Sequence, residues 1–342
     1  MKISVIIPVK NPDFGLLERA LESVYRQTFK DYEIIMINDG SDAAHSAELR
    51  RMADENPQIR LFETEPKGVS AARNLAAGKA EGDVITYLDS DDFLSPVCFE
   101  EAVNILENID IDAVWGGTFY GTEQEIRARS DKNADFRALS FEELEKGLIR
   151  LDDARMHQTK AECIGEPYRF GQGCYINRGI AARFIRKAAV QDFPEGIRIY
   201  EDAIWNLEML KSLKVSYAQT EWYYYLANEA SVSNAFNPDI IKDIETPLER
   251  IRQLLDLENE TEYSGYTRIL MDSLRYVYKC LYGNPKWGAA AGERKALKAH
   301  IYNDEPWREI GTSKYKALAQ ARDKQKALLY RMKALLFVWK LR

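Results

Sequence analysis

The sequence predicts an α/β protein with a mostly parallel sheet flanked by helices, followed by a helical C-terminal region. Three observations predict it. Up to about residue 120, short apolar β-branched runs alternate with longer stretches of helical period, the order from which right-handed crossovers build a parallel sheet. The first run, ISVIIPV (3–9), is apolar at almost every position, which suits a strand covered on both faces. From about residue 238 the helical pattern continues nearly throughout. With every chemistry-bearing motif before residue 235, the expected division is 1–235 and 236–342.

Each element has its reason. LLERALESVYRQ (16–27) aligns Leu17, Leu21 and Val24 on one stripe and predicts a helix. YEIIMIN (32–38) is a second strand, closed by the turn residues DGS (39–41). HSAELRRMADE (45–55) reads as a helix, IRLFET (59–64) as a strand, GVSAARNLAAGKA (68–80) as an Ala-rich helix and DVITYLD (83–89) as a fourth strand. In SPVCFEEAVNILEN (95–108), Ser95 is placed as N-cap and Pro96 as first helical residue. IDAVWGG (111–117) gives a fifth strand. Beyond residue 120 the pattern loosens. Ser140 and Glu143 form a capping box that opens a helix over 140–151. NRGIAARFIRKAA (177–189) and EDAIWNLEMLKSL (201–213) read as helices, and KVSYAQTEWYYYLA (214–227) as two short strands.

Composition narrows the class. The chain has 342 residues, 46% hydrophobic and 30% charged, as expected of a globular protein with a sizeable core. Cys98, Cys163, Cys174 and Cys280 are widely spaced without a CxxC pair, which argues against a zinc site or a disulfide framework. The opening MKISVIIPVK is too brief for a signal peptide, and no stretch approaches the roughly 20 apolar residues that span a bilayer. A cytoplasmic location is the expectation. Residues 312–342 carry a net +8 while the whole chain is −7, leaving −15 on the rest. A basic tail on an acidic body suits an anionic surface as partner for the tail and disfavours nucleic acid.

The segment YLDSDDF (87–93) concentrates three carboxylates directly after a strand. Like charges so close destabilise one another unless something offsets them. The Asp89-Ser90-Asp91 spacing lets alternate carboxylates converge on one hard divalent cation, which also takes phosphate oxygen. Read alone, the same segment is equally a solvated turn that caps the next helix. Asp39 closes the second strand, and ligands of open parallel sheets bind beyond such strand ends. Gly68 and small residues open a helix whose free N–H groups favour an anion.

Taken in order, SVIIPVKN, INDGSD, GVSAARN, YLDSDDF and YEDAIW resemble family 2 glycosyltransferases, inverting enzymes of the GT-A fold, over roughly residues 1–235. The resemblance implies that Pro8, Val9 and Asn11 lie near the nucleotide, that Asp39 receives the uracil N–H, and that Gly68 and Arg73 meet the nucleotide. It gives Asp89 and Ser90 to the ribose and phosphate side and Asp91, with Asp89, to Mn²⁺ or Mg²⁺. Arg73 could equally be a structural partner of these acids. Asp202 is the implied base for the acceptor hydroxyl and Glu201 its companion, although two acids in a first helical turn are also common without catalysis. This chain has Asn38 where relatives often pair acids, and Leu226 where they often carry Arg. His157 lies between the motifs as a candidate further metal ligand or a surface side chain. Cys174, after Gln172 and Gly173, reads as packing.

The implied activity is transfer of a sugar from a UDP-sugar to a glycan or lipid-linked saccharide acceptor in cell-surface polysaccharide assembly. The alternative is a nucleotide-sugar-binding scaffold for a membrane synthase. A nucleotidyltransferase would need a Gly-rich basic loop that is missing, and no GxGxxG follows the first strand for a dinucleotide. In KALLYRMKALLFVWKLR (326–342), Leu328, Met332, Leu335 and Trp339 form one stripe and Tyr330, Phe337 and Leu341 another. That tail suits peripheral contact with the inner membrane face, or packing on the body or a partner.

Overall fold

The computed structural model describes residues 1–126, 137–151, 153–164, 169–170, 174–175, 179–226, 236–288 and 290–318. The expectations for 326–342 and for Gln172 and Gly173 lie outside them, as does the side chain of Cys174. The chain divides into two compact units. The first comprises 1–155, 167–196 and 208–227; the second comprises 156–166, 197–207 and 228–342.

The first unit is built on a mixed sheet. Its strands are β1 (Ile3–Val9), β2 (Tyr32–Asp39), β3 (Ile59–Thr64), β4 (Val84–Tyr87), β5 (Phe93–Leu94), β6 (Ala113–Gly121), β7 (Leu148–Arg150), β8 (Arg169–Phe170), β9 (Cys174–Tyr175), β10 (Arg183–Arg186) and β11 (Val215–Leu226). The order is β3-β2-β1-β4-β10-β6-β11-β5, with β7 on β11 and β9 on β6. The long ladders β3-β2-β1-β4 and β6-β11 are parallel. β10 enters antiparallel between β4 and β6, so β6 and β11 run in the same direction as β4. The carboxyl ends of β1, β2, β4, β6 and β11 therefore share one edge.

Helices cover both faces. Leu17, Leu21 and Val24 of α1 (Phe14–Tyr25) are buried as their stripe demands, and pack with alternate β1 residues Ile3, Val5, Ile7 and Val9 and with α4 (Cys98–Asn108). α2 (Ala43–Glu55) lies against β3, and α3 (Val69–Lys79) presents buried Ala72 and Ala76 and packs against β1 and β2. The Ser140–Glu143 capping box is present at α5 (Phe141–Gly147).

Four expectations differ from what folds. The helix expected over 140–151 stops at Gly147, and Leu148–Arg150 is strand β7, paired antiparallel with β11. The stretch 177–189 is not a helix: Arg183–Arg186 is strand β10, followed by a short 3-10 turn, and residues 177–178 lie outside the description. Phe184 and Ile185 are fully buried on opposite sheet faces, a demand of the sheet that outweighs local propensity. Arg183 is buried too, its guanidinium 4.0 Å from the Trp115 ring centroid. Ser95 does not cap α4, which begins at Cys98; its N–H instead bonds the Trp222 carbonyl at 2.9 Å and its carbonyl accepts from Gln27 at 2.7 Å. The stretch 214–227 is one long strand with bulges rather than two. Gly116 of β6 is dictated by packing, because a Cβ there would lie 2.2 Å from the Trp222 ring.

The second unit is helical. It holds most of α6 (Asp153–Ile164), the start of α7 (Glu201–Ser212), α8 (Ile240–Leu254), α9 (Glu260–Val277), α10 (Ala291–Asn303) and α11 (Ser313–Leu318). Ile244, Leu248, Tyr266, Ile269, Leu274 and Trp307 are among its buried side chains.

Candidate functional site

The carboxyl edge of β1 and β2 is laced together by short polar side chains. Pro8, half-buried, lies opposite Ile37 in the β1-β2 ladder, and Val9 is buried next to it. Asn11 takes φ 45°, a conformation that Asn adopts more readily than most residues. Its N–H donates to Ser41 Oγ and its Oδ1 accepts from the Asp42 N–H, both at 2.9 Å. Asn38 serves the neighbouring turn: its Oδ1 accepts from the Ser41 N–H at 2.9 Å, and its Nδ2 donates to Ser46 Oγ and to Glu63. Asp13 caps α1 by accepting from the Leu16 N–H. The two crossover loops that follow β1 and β2 are thus held to each other.

Asp39, at the end of β2, is 4% exposed. Its carboxylate accepts from the N–H groups of Lys67 at 2.7 Å and Gly68 at 3.0 and 3.2 Å. Gly68 sits at φ 94°, a backbone region that side chains rarely tolerate, and this geometry turns both N–H groups onto Asp39. The anion at this helix start is the chain's own carboxylate. The Lys10 ammonium approaches Asp39 at 4.0 Å.

Beyond β4 the acids crowd. Arg73, from α3, is 5% exposed and donates to Asp89 Oδ1 at 3.0 Å, so the structural pairing considered for it is present. Its guanidinium also lies 5.1 Å from the Phe193 ring centroid. Asn74 brackets the same Phe193, accepting its N–H at 2.7 Å and donating to its carbonyl at 3.0 Å. Asp92, 2% exposed, accepts from the Tyr223 hydroxyl at 2.8 Å and the Leu226 N–H at 2.9 Å. The Tyr223 hydroxyl in turn takes the Asp89 N–H at 3.3 Å. Burial, reinforced by Asp89 and Asp91, still pushes the Asp92 carboxyl well above its ordinary range. Burial and the nearby Asp89 push Asp91 up as well. Ser90 is half-buried between the two.

This arrangement suits a divalent cation in part. Asp92 is committed to β11, so Asp89 and Asp91 are left as two crowded oxygen donors. Among the described residues no group of three or more His, Cys, Asp or Glu side chains could hold a metal by itself. Two carboxylates with the balance supplied by phosphate and water is a donor set that Mg²⁺ and Mn²⁺ accept.

Glu201 and Asp202 stand in the second unit, in the first turn of α7. Asp202 Oδ1 accepts from the Ala203 N–H at 2.7 Å. The preceding Tyr200 is forced to φ 68°, and its hydroxyl bonds Ser273 Oγ at 2.9 Å. His157 bonds the fully buried Glu262, which also meets Lys160 at 3.3 Å and the Asp256 N–H at 2.7 Å.

The structure therefore brings together Asp39 with Gly68, Arg73 with Asp89, and Asn11 with the β2 turn. Phe193 and Tyr223 escaped the sequence reading. Phe193 lies in DFPEG (192–196), where only turn residues are visible, and Tyr223 is hidden in a run of three tyrosines.

The family model for Glycosyl transferase family 2 matches residues 4–182. Succinoglycan biosynthesis protein ExoW of Rhizobium meliloti is 32% identical over 35% of this chain and 40% of its own length. The matched stretches span between 18% and 63% of four further curated relatives, so the chain covers less than two thirds of them. Among solved structures, S. aureus TarS 1–349 in complex with UDP-GlcNAc is similar with a TM-score of 0.58 at 16% identity, over 98% of this chain and 88% of that one. A mannosyltransferase from Pyrobaculum calidifontis in complex with GDP-Man and Mn²⁺ is similar with a TM-score of 0.50 at 14% identity, over 99% and 87%. These likenesses identify the fold as GT-A. With more than half of its length matched by the family model, the chain belongs to glycosyl transferase family 2.

Proposed function

We propose that the chain is an inverting glycosyltransferase that moves a sugar from a UDP-sugar to a glycan or lipid-linked saccharide acceptor in cell-surface polysaccharide assembly. One observation carries the reading: Asp89 and Asp91 crowd at the carboxyl edge of the sheet, with Arg73 holding the first and Asp92 tied away to β11. Such a cluster is costly alone and useful with a cation. The UDP-GlcNAc complex of TarS and the role named for ExoW support the donor class and the setting. The Mn²⁺ in the mannosyltransferase complex supports the cofactor class.

In this account Pro8, Val9 and Asn11 shape the floor for the nucleoside, and Asp39 accepts the uracil N–H with lone pairs not used by Lys67 and Gly68. Asp89 and Ser90 face the ribose and phosphate, and Asp91 with Asp89 holds Mn²⁺ or Mg²⁺. When bound, the cation neutralises charge on the departing diphosphate. The acceptor oxygen forms the new bond at the sugar C1 while the C1–oxygen bond to UDP breaks, and UDP keeps that electron pair. The hydroxyl proton passes to the Asp202 carboxylate, with Glu201 positioning it. No described helix is long and apolar enough to cross a membrane. Contact with an anionic membrane surface, if it accompanies this activity, falls to the basic tail.

The test is UDP release from a panel of UDP-sugars with Mn²⁺, with and without chelator. One responding sugar, silenced by chelation, is the expected result. UDP binding without release from any sugar, even with candidate acceptors, would instead favour the scaffold role.

A further inference from the structure

We infer that Tyr120 and Tyr225 form a stacking platform for the acceptor saccharide; the inference rests on the donor reading of the neighbouring acids. Four observations place the pair. Tyr225 and Tyr120 are directly opposite in the parallel β6-β11 ladder, at the carboxyl ends of both strands. Because β6 and β11 run in the same direction as β4, the pair stands on the edge that carries Asp39 and Asp89. The Asp89–Asp92 segment leaves β4 and enters β5, which lies on the far side of β11, so it crosses that edge in front of β6 and β11. At its far end Asp92 accepts the N–H of Leu226, the residue next to Tyr225.

The pair is also exposed. Tyr225 is 37% exposed, one of two large hydrophobic side chains left so open among the described residues. Its neighbours Tyr223 and Tyr224 are buried, the first tied to Asp92 and the second lining a cavity of about 260 Å³ with Arg19, Phe93 and Ile126. Tyr225 and the half-buried Tyr120 have ring centroids 5.0 Å apart and planes tilted by 42°. Two rings so inclined make a shallow apolar wall. A pyranose suits it, since one face of the sugar carries C–H groups for an aromatic face while its hydroxyls reach polar partners.

The donor does not need this wall. Its charged half has Asp89 and Asp91, which precede Asp92 along the segment. The aromatic pair adjoins Leu226, which Asp92 holds, and is free of the two donor-binding acids, which leaves it to a second sugar. Asp92 therefore acts as a positioning residue, coupling the end of β11 to the motif that holds the donor.

Saturation-transfer NMR on the full chain, loaded with UDP and Mn²⁺, tests the platform directly. The probes are methyl β-glucoside, methyl β-galactoside and methyl N-acetyl-β-glucosaminide. At least one should receive saturation on the ring C–H protons of a single face. Tyr225→Ala should weaken that glycoside roughly 3- to 10-fold, the size of one aromatic contact. Tyr225→Phe should restore it, and UDP affinity should stay the same in both. Tyr120→Leu, which keeps apolar bulk but not a ring face, should weaken it in the same sense. Undiminished glycoside binding in Tyr225→Ala would overturn the inference. So would a loss of UDP affinity by the same factor, because the pair would then serve the donor. A wild-type chain that binds UDP but none of the glycosides overturns the platform and leaves the donor reading standing. A chain that binds no UDP at all overturns the donor reading, and the platform with it.

Discussion

Glu33 and Asp92 are buried carboxylates at opposite ends of one sheet, the second beside the half-buried Asp91, and their surroundings are opposite too. Glu33, near the amino end of β2, is 5% exposed. Burial alone would raise its pKa, but the Ser4 hydroxyl, the Arg60 guanidinium and the Glu81 N–H outweigh it and hold the carboxyl below its ordinary range. The Gly82 N–H adds a further donor at 3.2 Å. At the carboxyl end, burial and mutual repulsion win, and Asp91 and Asp92 are pushed up. The first cluster joins β1, β2, β3 and the loop before β4. In the second, the Tyr223 hydroxyl and the Leu226 N–H are the donors to Asp92 among the described residues, and they do not outweigh burial and repulsion. Where a fold completes the shell around a buried acid, the acid is serving stability; the acids crowded at the carboxyl edge are those for which the proposed cation would be the offsetting partner.

The largest test lies with an acid in neither class. Asp202→Asn should leave UDP-sugar binding and melting temperature near those of the wild type while lowering transfer about 10²- to 10⁴-fold, the usual loss of a general base. Near-normal turnover would hand that role to another residue. Next, Glu33→Ala should cost about 3 kcal/mol in denaturant unfolding, because it strands Arg60 and several buried donors. UDP affinity of the folded fraction should not move; a parallel loss of UDP affinity would mean that the two ends of the sheet are not separable. Tyr223→Phe removes the hydroxyl from Asp92 and should cost about 1–2 kcal/mol, with a weaker response of UDP binding to Mn²⁺ as β11 loosens from the motif.

The smallest effect is in pH. Glu33 has a folded pKa below its ordinary value near 4.5, so its stabilisation is complete above that value and is lost as the pH falls through the folded one. Glu33→Gln should therefore be less stable at neutral pH and should show a shallower decline below about pH 4.5 than the wild type. Equal slopes in both proteins would remove Glu33 from the account of acid unfolding.

Much of this was legible in the residues because the physics was local. The β1, β2 and β4 strands announce themselves as largely apolar runs. Leu17, Leu21 and Val24 keep helical period, and Ser140 with Glu143 writes its own cap. DGS (39–41) could be read as a turn, and Asn38 beside it accepts the Ser41 N–H. What failed was decided by distant partners. AARFIR carries arginines at a spacing that suits a helix surface, yet the gap between β4 and β6 makes it a strand, with Arg183 folded onto Trp115. Ser95 looked like a cap because the pull of the Trp222 and Gln27 backbone and amide groups, far away in sequence, is invisible locally. In the candidate site, the acids of the motif were legible by type and spacing. Their separate fates, Asp89 to Arg73 and Asp92 to Tyr223, required the fold.

The most direct measurement is a calorimetric titration of UDP into the wild type and Asp91→Ala, each with Mn²⁺ and with chelator. The account predicts tight binding only for the wild type with Mn²⁺, and weak, Mn²⁺-insensitive binding for Asp91→Ala. Wild-type affinity that is the same with chelator as with Mn²⁺ would contradict it, since the crowded acids beyond β4 would then have no cation to serve.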